Sequence, residues 1–511
     1  MFFILLLCFI VCLVFVSGHS RKRAHRWEKL SEFPGDTPIP ILGNGLHLGF
    51  DADKSANKLL AMWERHGKQN IRLSLGSEDW ILLTDPDDIA TILNHPTEIS
   101  KPLDRNMAMK PFFGKSVSTS EGERWKSTRK LMASSFHFNT LEGKVDDVNK
   151  YCDRLFEIFD TYDGKGHVEL YRYVRPFMYD ILCTSLMGVE TNLLADCDHA
   201  YLKAGAKVVK IITHNYFSYW RNIRLLFMMT PQYKEMMDTI NTIKQNSTNI
   251  ILERRKILNN KIEKALNNNK NVDMDLENII ESKLNNGGCL LDKFIFSKSP
   301  NGEPTSDDVI NEEITLLCFT GHYTTTATIS HTLYCLAKYP EIQNRVLEEQ
   351  KSIFDKKLHK KPTTQELNQM KYLEAVIKES IRIFPTVTKI GRQLQNDLTF
   401  EDGRVAPAGS SVLVFYDAAF KNPKVFPEPE KFNPERFLDS MHPFAFVPFS
   451  AGPRNCIGFR FAWVAMKTTI SNILKRYEVM LGDAGKEPQF VSRILTESKN
   501  GIRLKLKKRN L

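Results

Sequence analysis

"PFSAGPRNCIG", Pro448 to Gly458, sets a single cysteine, Cys456, among glycine, proline and arginine. A free cysteine often behaves as a small buried hydrophobe. A chemical reading is equally open: a thiolate presented by close-approaching backbone to a flat, anionic, metal-bearing group. The pattern F-x-x-G-x-R-x-C-x-G arises by chance in roughly one chain of this length in ten thousand, from ordinary residue frequencies.

Composition narrows the setting. The chain has 511 residues, 42% hydrophobic and 10% aromatic, enough for a large core. Its nine cysteines are an odd number, scattered, with no CxxC pair and no Cys/His zinc spacing. That excludes a disulfide framework or zinc module and fits thiols in a reducing compartment. The net charge of +10 is spread along the chain. Such a surface suits a membrane or an acidic protein and does not specify nucleic acid.

"FFILLLCFIVCLVFV", Phe2 to Val16, carries no charge, and the basic cluster "RKRAHR", Arg21 to Arg26, follows it. Val16-Ser17-Gly18 resembles a signal-cleavage site, but the positive charge lies after the apolar run rather than before it. That order predicts a retained membrane anchor over residues 1–20, with the rest of the chain in the cytoplasm. The run is short, which suits the thin endoplasmic-reticulum bilayer. Residues 21–45, including "PGDTPIPILGN", read as a basic, proline-rich hinge, and residues 46–511 as one catalytic body. The sequon at Asn246 would then stay unmodified on the cytoplasmic side.

Within that body, "IRLSLG" and "WILLT" predict a short hairpin, and "DPDDIATILN" a helix entered through Asp85-Pro86. "LTFEDGRVAPAGSSVLVFY" alternates like a second hairpin. The longest helical pattern begins near Thr305, where Thr305 and Asp308 form a capping signal, and runs to about Lys338, roughly 50 Å. Its middle, "FTGHYTTTATIS", puts Gly321 and a hydroxyl run where a core helix usually carries leucine. Two readings fit: a bent, buried core helix, or a helix opened to touch a ligand. A second capped helix starts at Thr363 with Glu366 and continues to Phe384. It carries Glu379 and Arg382 on one face, a pairing that alone reads as a surface salt bridge.

Taken in order, these pieces resemble the cytochrome P-450 superfamily, and their wording looks most like the arthropod members of family 4. The resemblance rests on the anchor and hinge, Trp125-x-x-x-Arg129, the central helix, Glu379-x-x-Arg382, "PERF" at Pro434 to Phe437, and the Cys456 loop. It implies a mainly α fold with small β-sheets, a helical bundle around haem. It also implies non-covalent haem b with the Cys456 thiolate as axial iron ligand, since thiolate ligation favours O–O cleavage. Trp125, Arg129, Arg392 and Arg454 would hold the haem propionates, with Gly458 giving backbone access. Glu379, Arg382 and Arg436 would form a buried network holding the cysteine loop.

The resemblance further implies a monooxygenase that inserts one oxygen atom from O₂ into a fatty acid or related lipid, a hormone or a foreign compound. Electrons would come from NADPH through cytochrome P-450 reductase, possibly with cytochrome b5, at the endoplasmic-reticulum membrane. "ERWKSTRK", with Arg124, Lys126 and Lys130, offers part of a docking surface for an acidic flavin domain. Substrate contacts are expected around "RNMAMKPFFGKS", Phe319 and Thr320, "PTVT" at 385–388, and "FVSRILTES" at 490–498. Two departures stand out. Tyr323 occupies the place of the usual acid before the oxygen-side Thr324, and Thr320 the place of the glutamate that esterifies haem in many family 4 enzymes. A reductase-independent isomerase or dehydratase, and a haem protein that binds without turnover, remain the alternatives.

Overall fold

The computed structural model describes residues 26–39, 43–49, 51–76, 78–137, 143–217, 224–268, 288–298, 302–482 and 485–510. The expected anchor, residues 1–20, lies outside them, and among the described residues no helix is long and apolar enough to cross a membrane. The chain forms two compact units. One comprises residues 1–103, 389–427 and 442–454; the other comprises 104–388, 428–441 and 455–511. No linker composition marks the division, because each unit is assembled from separated segments.

The smaller unit is built on a four-stranded sheet of order β1-β2-β7-β4. The hairpin expected from "IRLSLG…WILLT" is β1 (Ile71–Leu75) and β2 (Glu78–Leu83), with Ile71 opposite Leu82. β7 (Ser411–Phe415) runs parallel to β2, and β4 (Lys389–Gln393) antiparallel to β7. The second expected hairpin is only partly present. β5 (Leu398–Thr399) and β6 (Val405–Ala406) pair over two residues each. The apolar run after them, "SVLVF", is fully buried and joins β2 instead. Hydrophobic strands buried on both faces pair where the core is, not with their sequence neighbour. Of its helices, α1 is Ala52–Arg65 and α2 is Pro86–Leu93. The Asp85 carboxylate caps α2 by accepting the Asp87 N–H at 3.0 Å, with Pro86 in the first turn, as the sequence predicts.

The larger unit is mainly helical. Its helices are α3 (Leu103–Phe113, which begins at the unit boundary), α4 (Gly122–Ala133), α5 (Lys144–Phe159), α6 (Leu170–Leu182), α7 (Ala200–Phe217), α8 (Arg224–Met228), α9 (Pro231–Asn268) and α10 (Leu290–Ile295). They are followed by α11 (Asp307–Lys338), α12 (Pro340–Ile353), α13 (Thr364–Gln369), α14 (Lys371–Ile383) and α15 (Phe459–Arg476). Two small sheets complete it. β3 (Val168–Glu169), β11 (Arg503–Lys508) and β8 (Tyr477–Leu481) lie in that order, and β9 (Phe490–Ser492) pairs with β10 (Thr496–Ser498). Asn246 of the sequon lies inside α9, hydrogen-bonded to the Tyr179 hydroxyl.

Two helix expectations need correction. The central helix starts one residue later than its capping signal, with Ser306 as N-cap and no side-chain cap. Thr305 is committed elsewhere, its hydroxyl 2.7 Å from that of Ser297. The second capped helix is two helices. Thr363 and Glu366 do form the expected capping box, but the chain breaks at buried Met370, where ψ is 76°. A carboxylate from α12 restarts it: Glu349 accepts the Tyr372 and Leu373 N–H groups at 2.6 and 2.9 Å. Capping from another helix leaves no local sequence signal.

Candidate active site

The Cys456 loop leads into α15, with Gly458 as the helix N-cap. A thiol placed at a helix N-terminus feels the positive end of the macrodipole, which favours thiolate. The Cys456 side chain has open surface, yet desolvation raises its pKa, against the pull of the Gly458 N–H and the Arg129 guanidinium. Arg129, on α4, donates to the Asn455 carbonyl at 3.0 Å and also to its side-chain oxygen. The sequence expectation had no place for this clamp on the residue before the cysteine. Trp125 is buried one turn earlier on α4.

The glycines of the loop differ from one another. Gly452 has φ +67°, and a Cβ there would meet the Leu93 carbonyl oxygen at 2.0 Å, so the close approach expected of it is to the protein's own backbone. Gly458 has an ordinary φ, and a Cβ there would meet only the Phe136 ring at 3.8 Å. In the smaller unit, Arg454 is buried and its Nε donates to the Ile99 carbonyl at 3.2 Å. Arg392 is buried on β4, its guanidinium 3.0 Å from the Gly391 carbonyl.

Glu379 and Arg382 do not lie on the surface. Both side chains are fully buried, joined by Nε–Oε2 and Nη2–Oε1 contacts of 2.7 and 2.9 Å. Arg436 donates to Glu379 at 3.2 Å and the Asn433 N–H at 2.7 Å. Arg382 also donates to the Lys431 carbonyl at 3.1 Å. A buried carboxylate with four donors is the arrangement that offsets desolvation of an ion pair.

On α11 the hydroxyl run bonds back along its own helix. Thr320, Thr324 and Thr325 donate to the carbonyls of Leu316, Thr320 and Gly321 at 2.9, 2.9 and 3.0 Å. The helix is continuous through this stretch. Gly321 makes room for α6: a Cβ there would lie 2.0 Å from Leu182 Cδ1. Gly321 therefore belongs to the core-packing reading of this helix.

Tyr323 is buried. Its ring stacks on Phe319 at 5.1 Å and lies 4.5 Å below the Arg175 guanidinium. Arg175 in turn pairs with Glu497 at 3.5 Å. The Tyr323 hydroxyl has no hydrogen-bond partner among the described residues, and burial pushes its pKa far up. Arg175 carried no sequence signal, and Glu497 lies in the segment 490–498 expected to contact substrate, with nothing in the sequence to pair it with Arg175.

The apolar segments named from the sequence do come together in part. Phe113 packs on Phe319 at 5.4 Å. Segment 385–388 is tied to the final hairpin: the Thr496 N–H donates to the Thr386 carbonyl at 3.0 Å and the Thr388 hydroxyl to the Arg493 carbonyl at 2.6 Å. Thr386 also touches the Thr328 hydroxyl of α11 at 2.8 Å. Of the expected docking cations, Arg124 is paired with Glu312 at 2.8 Å and Lys126 with Glu123 at 2.8 Å, while Lys130 is exposed.

The family model described as "Cytochrome P450" matches residues 33–505. Cytochrome P450 4c3 of Drosophila melanogaster is 32% identical over 504 residues, covering 98% of this chain and 93% of its own length. Cytochrome P450 4e5, mitochondrial, of Drosophila mettleri is 30% identical, with 94% and 88% covered. Cytochrome P450 4V2 of Homo sapiens is 28% identical, with 95% and 92% covered. With its helical fold, its Cys456 loop and these matches across nearly its whole length, the chain belongs to the cytochrome P450 family, haem-thiolate oxidoreductases of the monooxygenase type, and is most similar to the arthropod family 4 members.

Proposed function

We propose that this chain oxidises a lipophilic substrate, a fatty acid or related lipid first, at the endoplasmic-reticulum membrane, with NADPH–cytochrome P-450 reductase as its electron donor. The observation that carries the proposal is the setting of Cys456: an exposed thiol at the head of α15, with the Gly458 N–H and Arg129 both favouring thiolate. These residues fit haem b, whose iron would take the Cys456 thiolate as a ligand. When bound, haem supplies the activation of O₂.

The chain's own residues do the rest. Cys456 would ligate the iron, and Trp125, Arg129, Arg392 and Arg454 would hold the propionates. Arg129 also fixes the loop through Asn455. Glu379, Arg382 and Arg436 brace the segment 428–441 against α14. Thr320 has no carboxylate and spends its hydroxyl on Leu316, so the haem stays non-covalent. Thr324, whose hydroxyl bonds back to the Thr320 carbonyl, would serve the oxygen side, and Tyr323 beside it stays neutral. Phe113 and Phe319 give an apolar wall suited to a lipid chain. Leu225, Leu226, Met228 and Met229 are exposed at and just beyond α8, a patch suited to a lipid surface.

The test is spectroscopic. Reduced, CO-bound protein should show the red-shifted Soret band of thiolate haem, and Cys456→His should move it to the imidazole position. An unchanged band in the variant would overturn the ligand assignment. A product screen with reconstituted reductase then reads substrate class, and fractionation separates the endoplasmic reticulum from mitochondria.

A further inference from the structure

Residues 114–119 lie in the connection from α3, which ends in Phe113, to α4, which starts at Gly122 and carries Arg129. Two adjacent glutamates of α11 hold this connection. Glu312 pairs with Arg124 at 2.8 Å, and Arg124 Nε donates to the Lys115 carbonyl at 2.8 Å. The Glu312 side chain also lies over Gly114, whose φ is +54° and where a Cβ would meet Oε1 at 1.9 Å. Glu313 reaches the same segment by a single bond: its Oε2 accepts the Val117 N–H at 3.0 Å. Its side chain is fully buried, and its Oε1 has no hydrogen-bond partner among the described residues.

A carboxylate buried with one neutral donor is poorly compensated, whereas a carboxylic acid in the same place costs much less. We infer that Glu313 is a proton-operated latch, holding residues 114–119 and Phe113 against α11 when protonated and releasing them more often when ionised. The charges acting on it agree. Burial pushes its pKa up to about 7, and neighbouring Glu312 pushes the same way. The Val117 N–H and Arg124 of α4 pull it down without offsetting the burial.

The direction with pH follows from linkage. The closed segment binds the Glu313 proton more tightly than an open one, in which the carboxyl meets water and titrates near its ordinary 4.5. Closure is therefore fully favoured below about pH 4.5, weakens about tenfold per pH unit up to about 7, and levels off above that. Acid closes the latch. Because Phe113 packs on Phe319 at 5.4 Å, the same motion sets how often that aromatic wall parts. The inference concerns the fold and holds whatever substrate the protein takes.

Hydrogen exchange on the full-length, haem-loaded protein tests it, with rates corrected for the intrinsic pH dependence of amide exchange. In wild type, the opening of residues 110–120 should rise about fivefold from pH 6 to pH 7 and change little from about pH 7.5 to about 8.5. Glu313→Gln, which keeps an acceptor for Val117 but cannot ionise, should stay near the low-pH protection throughout. A wild-type profile that is flat overturns the latch even if the variant fails to fold. So does an equal slope in Glu313→Gln, or the same slope in α12, which would mark a global effect.

Discussion

Glu379 and Glu313 are both glutamates on helices of the larger unit, and neither has an exposed side chain. They differ in what meets them. Glu379 receives Arg382 twice, Arg436 and the Asn433 N–H. Glu313 receives one backbone N–H, and its second oxygen receives nothing among the described residues. A fully met carboxylate, with four donors on it, fixes what surrounds it. A half-met one is closer to neutral and can be pushed by pH. The first kind of site holds a fold together, and the second kind can move a part of it.

The largest expected effect breaks the first half of that contrast. Glu379→Ala leaves two guanidinium groups, one of them fully buried, without their shared carboxylate. Uncompensated buried charge of this kind costs about 3–5 kcal/mol. The variant should purify without haem or not fold, as read from Soret absorbance and thermal unfolding. A haem-replete Glu379→Ala of ordinary stability would mean the network is held by the other bonds to segment 428–441 alone.

The same contrast explains how much was legible in the sequence. The cysteine loop, Glu379-x-x-Arg382 and "PERF" combine a fixed spacing with residue types that few other tasks need, and the structure joins Glu379, Arg382 and Arg436 as read. Secondary elements with local caps, such as α2 with Asp85, were also readable. What escaped was decided by distant segments. Leu182 of α6 explains Gly321, Glu349 of α12 starts α14, and Arg175 and Glu497 enclose Tyr323. No window of sequence around α11 contains those partners. Of the two readings of "FTGHYTTT", the packing of Gly321 on Leu182 and the back-bonded hydroxyls match the buried core helix.

That account of Gly321 can be sharpened. Gly321→Val would drive a branched side chain into Leu182, where even a Cβ lies at 2.0 Å. Overpacking at such a site costs about 1–3 kcal/mol. Adding Leu182→Ala should recover part of the loss, because the two side chains compete for one space. Thermal unfolding of the single and double variants measures the coupling. Additive losses would place the strain elsewhere on α11.

Tyr323 tests the smallest difference, between a residue enclosed by its neighbours and one that serves the reaction. Its hydroxyl is buried without a hydrogen-bond partner among the described residues, so Tyr323→Phe should change stability by no more than about 1 kcal/mol. Its pKa, pushed far up by burial, makes it a poor source of protons. Tyr323→Asp would place a carboxyl group under the Arg175 guanidinium, where Glu497 already competes for the same cation. Pairing with Arg175 would keep that group largely ionised near neutral pH. General-acid assistance is worth about 10²–10⁴-fold when the acid is well tuned; here the gain in product per NADPH should fall well short of that range. The measurement is NADPH consumed against product formed, with reconstituted reductase, for both variants. A loss of coupling in Tyr323→Phe would show that the neutral hydroxyl passes protons on after all. Equal coupling in wild type, Tyr323→Phe and Tyr323→Asp would mean that protons reach Thr324 by a route that bypasses position 323, leaving this position to packing between α6, α7 and α11.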